Sequence, residues 1–152
     1  MKTKTLLLIE LWLEARTRLT KQLDLISEND LKKKLAPSPN SLGFLLRHIC
    51  DVELLFTKNI FGSTGVKVIA KTVIAQRDTG EWTNLSELKE YSDYAYQNLL
   101  AILEKQTDLD WENSVTTTEF GTKTKAEAFG RIVSHTAYHA GQMAMIHKYG
   151  IF

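Results

Sequence analysis

Residues 124–148 read TKAEAFGRIVSHTAYHAGQMAMIHK, and this stretch decides the fold. Thr124 and Glu127 have the spacing of a capping box, in which each side chain satisfies a free backbone amide at a helix start. Beyond them Ile132, His135, His139, Met143 and Ile146 recur at three- and four-residue steps. That period places all five on one stripe of a helix running to about Lys148, and the stripe faces an interior. Two imidazoles therefore stand one turn apart on a face that is otherwise apolar.

Three more segments carry the same period. The first runs from about residue 3 to 28, with Leu8, Leu11, Trp12, Leu19, Leu23 and Ile26 in its stripe. Pro37 and Pro39 follow it, and a helix cannot continue smoothly through them. Asn40 or Ser41 can cap the second segment, which runs to about Phe61 and stops at Gly62. Its stripe is Phe44, Leu45, His48, Val52 and Leu55, so a third histidine sits in an apolar row. The third segment starts at Asn84, with Glu87 in capping-box position, and runs to about Thr107. Leu88, Tyr91, Ala95, Leu99 and Ile102 form its stripe. The connection from Gly62 to Thr83 is long for a compact domain, so it either crosses the end of a bundle or frames a site. Ser114 to Lys123, SVTTTEFGTK, suits a small β-hairpin better than a helix.

Helices of about 20 residues are each about 30 Å long. The expected fold is all-α: a four-helix bundle in which residues 1–152 form one domain. The long connection reads as a crossover, so helices two and three need not be antiparallel neighbours.

A chain of 152 residues is large enough to bury a core of its own. Hydrophobic residues at 43% and charged residues at 24% are ordinary for a soluble globular protein. The 19 basic and 18 acidic residues give a formal net charge of +1, so nothing favours a nucleic-acid partner. Lys32-Lys33-Lys34, the one charge block, reads as a solvated turn after a helix. Leu6 to Leu13, LLLIELWL, is too short to span a membrane and contains Glu10. It lacks the flanks of a signal peptide and reads as part of an amphipathic helix. The lone cysteine, Cys50, cannot form an intrachain disulfide, so a reducing cytoplasm is expected.

The four histidines are His48, His135, His139 and His147. A buried imidazole is disfavoured unless its polar atoms find partners. A single core histidine commonly bonds a backbone carbonyl or a hydroxyl. Two stacked in one apolar stripe, with a third on another, are more simply resolved by one bound cation. Neutral imidazole is the commonest nitrogen ligand for divalent zinc, nickel and iron. Three protein ligands leave a position open, as in catalytic rather than structural zinc sites. His147, at the frayed end of its helix, suits a helix-dipole contact and is left out of the site.

Other chemistries fail on residue type. No Glu lies three residues before a His, as a ferritin-like di-iron bundle needs. Cys50 is two residues from His48, roughly on the opposite face, and reads as a small buried apolar residue rather than a nucleophile. No phosphate-binding glycine loop or dinucleotide fingerprint is present.

The fourth helix carries His135-Thr-Ala-Tyr-His139-Ala-Gly141-Gln142. The second carries Ser41-Leu-Gly43-Phe-Leu-Leu-Arg47-His48-Ile-Cys-Asp51-Val-Glu53. With four helices, a long middle connection and one plus two histidines, the whole chain resembles the DinB superfamily of DinB- and YfiT-like metalloenzymes. The resemblance implies an up-down-down-up bundle, often a homodimer. It implies a divalent metal, zinc or nickel most often, on His48, His135 and His139, with water completing the shell. Some relatives are thiol-dependent transferases or isomerases, in which the metal activates a low-molecular-weight thiol as the nucleophilic thiolate. The expected function is therefore a metal-dependent thiol S-transferase or hydrolase-like enzyme acting on a small molecule. The alternatives are a non-catalytic metal-binding or stress-response bundle and a metal-free bundle. The resemblance does not imply DNA binding, and no individual catalytic residue is identified.

Around the histidines, Arg131 is four residues before His135 and could hold a substrate carboxylate or form a surface pair. Tyr138, Tyr96 and Gln142 could support the site from behind, although core packing is the ordinary role of such tyrosines. Gly141, in mid-helix, is expected to admit a close neighbouring helix. Arg77 and Trp82 lie in the long connection, where they could line a pocket.

Overall fold

Each long helix begins where the sequence supplies a cap. The structure is a computed structural model that describes all 152 residues. Helix α1 spans Lys4–Leu25, α2 Leu42–Asn59, α3 Lys71–Ala75, α4 Leu85–Leu103 and α5 Lys125–Tyr149. The side chains of Thr3, Ser41, Asn84 and Thr124 accept the amide N–H of Leu6, Phe44, Glu87 and Glu127. Glu127 closes the expected box by accepting the Thr124 N–H at 2.8 Å. Each such cap contributes about 1 kcal/mol. The expected hairpin is present as β1 (Ser114–Thr117) and β2 (Gly121–Thr124), antiparallel in the register Ser114↔Thr124 to Thr117↔Gly121. It leads directly into α5.

Two helices are shorter than their periodicity indicated. α1 stops at Leu25 rather than near residue 28, because Ile26 turns extended and Ser27 and Asp30 start a separate 3-10 turn at Glu28–Lys32. α4 stops at Leu103 rather than near Thr107, which instead bonds Asp110 in the next turn. In both cases a short polar side chain competes for the backbone and ends the helix. The lysine run is not the solvated turn expected: Lys32 ends the 3-10 helix, Lys33 folds back onto Asp30 at 2.6 Å, and the Lys34 backbone pairs with Ser41 and Ile151, although the Lys32 and Lys34 side chains are exposed. Leu11 is exposed, so the interior stripe of α1 is carried by Ile9, Trp12 and Leu19.

Two apolar clusters give the helix directions. One gathers Leu19 and Ile26, Leu42 to Leu54 of α2, Leu88 and Ala95 of α4, and Ala140, Met143 and Ile146 of α5. The other gathers Ile9 and Trp12, Phe56 to Phe61, Leu99 and Leu103, and Ala128, Phe129 and Ile132. The first cluster thus holds the C-terminal halves of α1 and α5 but the N-terminal halves of α2 and α4. The long helices therefore run up, down, down and up. α2 and α4 are parallel neighbours, which only a long crossover can join.

That crossover packs down on α2 at Gly43. A Cβ there would collide with the Trp82 carbonyl oxygen, so glycine is the residue that fits. Gly141 behaves differently from the expectation of a close helix contact: nothing lies within 4 Å of where its Cβ would stand. The neighbouring chain at that level leaves an open cavity instead.

Midway along the bundle, Glu53 of α2 is fully buried. It accepts the Trp12 indole N–H at 3.2 Å and the Arg16 guanidinium at 2.9 Å. Arg16 also donates to the Ser92 carbonyl of α4 at 2.9 Å. This network ties α1, α2 and α4 at one level and fixes their relative height. No helix is long and apolar enough to cross a membrane.

Candidate metal centre

His48 comes from α2, and His135 and His139 come from successive turns of α5, where the two helices run antiparallel. One nitrogen from each of the three rings lies within 4.8 Å of the other two. Ring centroids are 5.0 Å apart for His48 to each partner and 4.4 Å apart for His135 to His139. His48 Nε2 and His135 Nε2 are 3.2 Å apart. Three ligands at tetrahedral zinc distances stand about 3.4 Å from one another, so this donor set is compatible with one divalent ion.

The surroundings fix two of the tautomers. Thr72 Oγ1 donates its one proton to Asp51 Oδ2 at 2.7 Å. The same oxygen lies 3.1 Å from His48 Nδ1, so it must accept there from Nδ1–H. His48 Nε2 then carries a lone pair into the cluster. Asp51 itself is fully buried and also accepts from the Thr72 amide, the Tyr91 hydroxyl at 2.7 Å and Arg47 Nε at 2.8 Å. On the other helix, His139 Nδ1 is 2.6 Å from Gln142 Oε1, an acceptor, so His139 also presents Nε2 as a lone pair. The Gln142 amide is held in turn, donating to the Tyr138 hydroxyl at 3.2 Å. Outer contacts of this kind, in metal sites, orient ligating histidines and raise their basicity.

Burial keeps all three rings neutral. It is the main cause holding His48 down to about 4 and His135 down to about 3, and it lowers His139 as well. Neighbouring imidazoles add to the shift at His48 and His135, since two cations at this spacing repel. Neutral imidazole is the form that ligates a metal. His135 Nδ1 is buried with no partner, and two Nε2 atoms face each other. One buried ring nitrogen is thus left unpaired, and the donor set is compatible with a cation.

The structure brings some sequence candidates together and separates others. Gln142 and Tyr138 join the site from behind His139. Tyr138 is exposed, which corrects the expectation of core packing for it. Tyr96 does pack, stacked on Trp12 at 5.5 Å and away from the histidines. Arg131 is exposed and paired with Glu119 of the hairpin loop at 2.6 Å. Trp82 is buried over Gly43, with Arg47 4.9 Å above its ring, and Arg77 is exposed. Cys50 is fully buried and its thiol is pushed up to about 12, chiefly by desolvation, which removes it as a nucleophile. His147 lies 3.8 Å from Asp30, away from the cluster.

Sequence reasoning missed Thr72 and the role of Asp51. Thr72 sits in the crossover with no periodic signal. The pair Arg47 and Asp51, four residues apart on α2, was the one visible hint.

A helical bundle of this topology, with a three-histidine cluster on the α2–α5 seam, is a recognisable class. The sequence model of the DinB superfamily matches residues 11–143, and the chain belongs to that family. Among solved structures, a histidine-to-alanine mutant of mycothiol-dependent maleylpyruvate isomerase is similar at a TM-score of 0.64 and 17% identity. The match covers 94% of this chain and 63% of that one, and it shows a shared fold. This chain therefore spans less than two thirds of that enzyme. No curated protein sequence matches the chain.

Proposed function

We propose that this protein is a divalent-metal-dependent enzyme of the DinB type. His48, His135 and His139 hold zinc or nickel, and the chemistry is that of a thiol-dependent S-transferase or a related hydrolase. The observation that carries the reading is the convergence of three neutral imidazoles within 4.8 Å, with a cavity against His135. A bound ion acidifies a coordinated thiol or water and so supplies a nucleophile at neutral pH. The chain's own residues do the rest. Thr72 and Gln142 hold His48 and His139 with Nε2 inward. Val52, Phe56 and Ile132 form an apolar wall that limits water at the cavity.

The family resemblance supports a small-molecule substrate, a low-molecular-weight thiol as co-substrate and a homodimer. The near-neutral charge supports a role without nucleic acid. We read residues 1–152 as one domain and place it in the cytoplasm, where a lone buried cysteine stays reduced.

Elemental analysis of untagged protein tests the reading, beside a variant with all three histidines replaced by alanine. About one zinc or nickel per chain, lost in the variant, is expected. Thiol-dependent turnover that vanishes with His48→Ala is expected next. Absence of metal after incubation with either ion overturns the proposal. Metal that raises the melting temperature without turnover of any thiol or ester substrate reassigns the protein as a non-catalytic metal-binding bundle.

A further inference from the structure

A cavity of about 310 Å³ opens between α2, α5 and the hairpin loop. Its apolar side is Val52, Phe56 and Ile132, and its polar side is His135, Tyr138 and Ser134. Arg131 and Glu119 complete the lining. The volume falls at the small end of ligand sites, enough for one ring and a short tail.

Arg131 is the only cation lining this cavity. Its guanidinium lies over the Phe120 ring, 5.4 Å from the centroid, which braces the side chain against the hairpin loop. Its present partner is a carboxylate of the chain itself: Glu119 Oε1 accepts from Arg131 at 2.6 Å. Both side chains are about half exposed, at 44% and 60%. An exposed pair of this kind gains little net stability, so exchange of one carboxylate for another costs little. Glu119 thus marks where an incoming carboxylate would bind and competes for the same guanidinium. On α5, Arg131 stands one turn before His135, so a carboxylate held there lies one turn from the histidine cluster.

We infer that this cavity takes a small carboxylate with an apolar or aromatic body, recognised by Arg131 after it displaces Glu119. This rests on the proposed metal-dependent reading for the role of the neighbouring histidines, but the anion contact itself needs no metal. In effect the Arg131–Glu119 pair is a latch that a neutral ligand does not open.

The test uses 3-phenylpropanoate and its neutral isostere 3-phenylpropanamide as probes. Each is titrated into isotope-labelled protein and followed by amide chemical shifts, with metal content measured on the same samples. The carboxylate is expected to bind at least tenfold tighter than the amide and to shift residues around Ile132 and Phe56. Glu119→Gln should tighten carboxylate binding several-fold by removing the internal competitor. Arg131→Gln should weaken it about tenfold and leave the amide unchanged. Both substitutions lie at exposed positions and should leave the melting temperature within a few degrees of the parent. Equal binding of the two probes, or an Arg131→Gln variant that still prefers the carboxylate, overturns the inference. So does carboxylate binding that requires zinc and ignores Arg131, since the metal is then the anion site. A metal-free protein that keeps the Arg131-dependent preference upholds the inference while removing the metal reading.

Discussion

The bundle contains two interior polar clusters, one fully buried and one half-buried, and they are built on opposite plans. Around Glu53, an anion meets a cation and the donors are matched to acceptors. Both carboxylate oxygens accept, and the Arg16 guanidinium reaches on to the Ser92 carbonyl. Around His48, His135 and His139, three like groups face one another and one ring nitrogen has no partner. The first arrangement is complete within the chain and sets helix heights. The second is left incomplete within the chain, and its three nitrogens are compatible with a cation. Partner balance separates the two clusters together with burial: Arg16 and Glu53 are closed off from solvent, the three histidines are only half-buried, and both clusters carry titratable groups.

The largest expected effect breaks the closed cluster. Arg16→Met leaves the Glu53 carboxylate buried and uncompensated, and should cost about 3–5 kcal/mol in urea denaturation. Adding Glu53→Leu should restore most of that, since an apolar replacement of a buried ion pair is often close to neutral. A loss below about 1 kcal/mol for Arg16→Met would show that this network does not hold the helices as described.

An intermediate effect sharpens the open cluster. Thr72→Val removes the acceptor of the His48 Nδ1 proton and leaves the three ring nitrogens in place. Zinc affinity, read by competition with a chromophoric chelator, should fall about 10–100-fold. Unchanged affinity would mean that the Asp51–Thr72 relay does not orient His48.

The smallest effect contrasts a filled with an open place in the two site-bearing helices. Gly43→Ala drives a methyl into the Trp82 carbonyl and should destabilise by about 1–3 kcal/mol. Gly141→Ala meets nothing and gains helix propensity, so it should stabilise by up to about 1 kcal/mol. Thermal melts of the two variants should shift in opposite directions. Shifts of the same sign would refute this reading of the packing.

Much of this was legible before the structure. The capping residues at Ser41, Asn84 and Thr124 are local signals, and the helices begin there. The helix ends at Leu25 and Leu103 were not legible, because Asp30 and Asp110 capture nearby backbone only once the chain is bent. The hairpin was visible from its β-prone threonines. Arg16, three residues after Leu13 in a helix of mixed polarity, carried no sign that it would be buried on Glu53.

The sequence by itself determined the periodic elements, their order, and the placing of three histidines on interior stripes. These follow from propensity and spacing, which act between residues a few positions apart. The tertiary structure decided what required distant segments to meet. It selected Thr72 as the residue behind His48, though the two are 24 positions apart. It filled the space over Gly43 and left it open over Gly141. It turned Glu119 of the hairpin onto Arg131 at the mouth of the cavity. Which surfaces touch depends on how four helices settle against one another, and no local pattern in the chain encodes that.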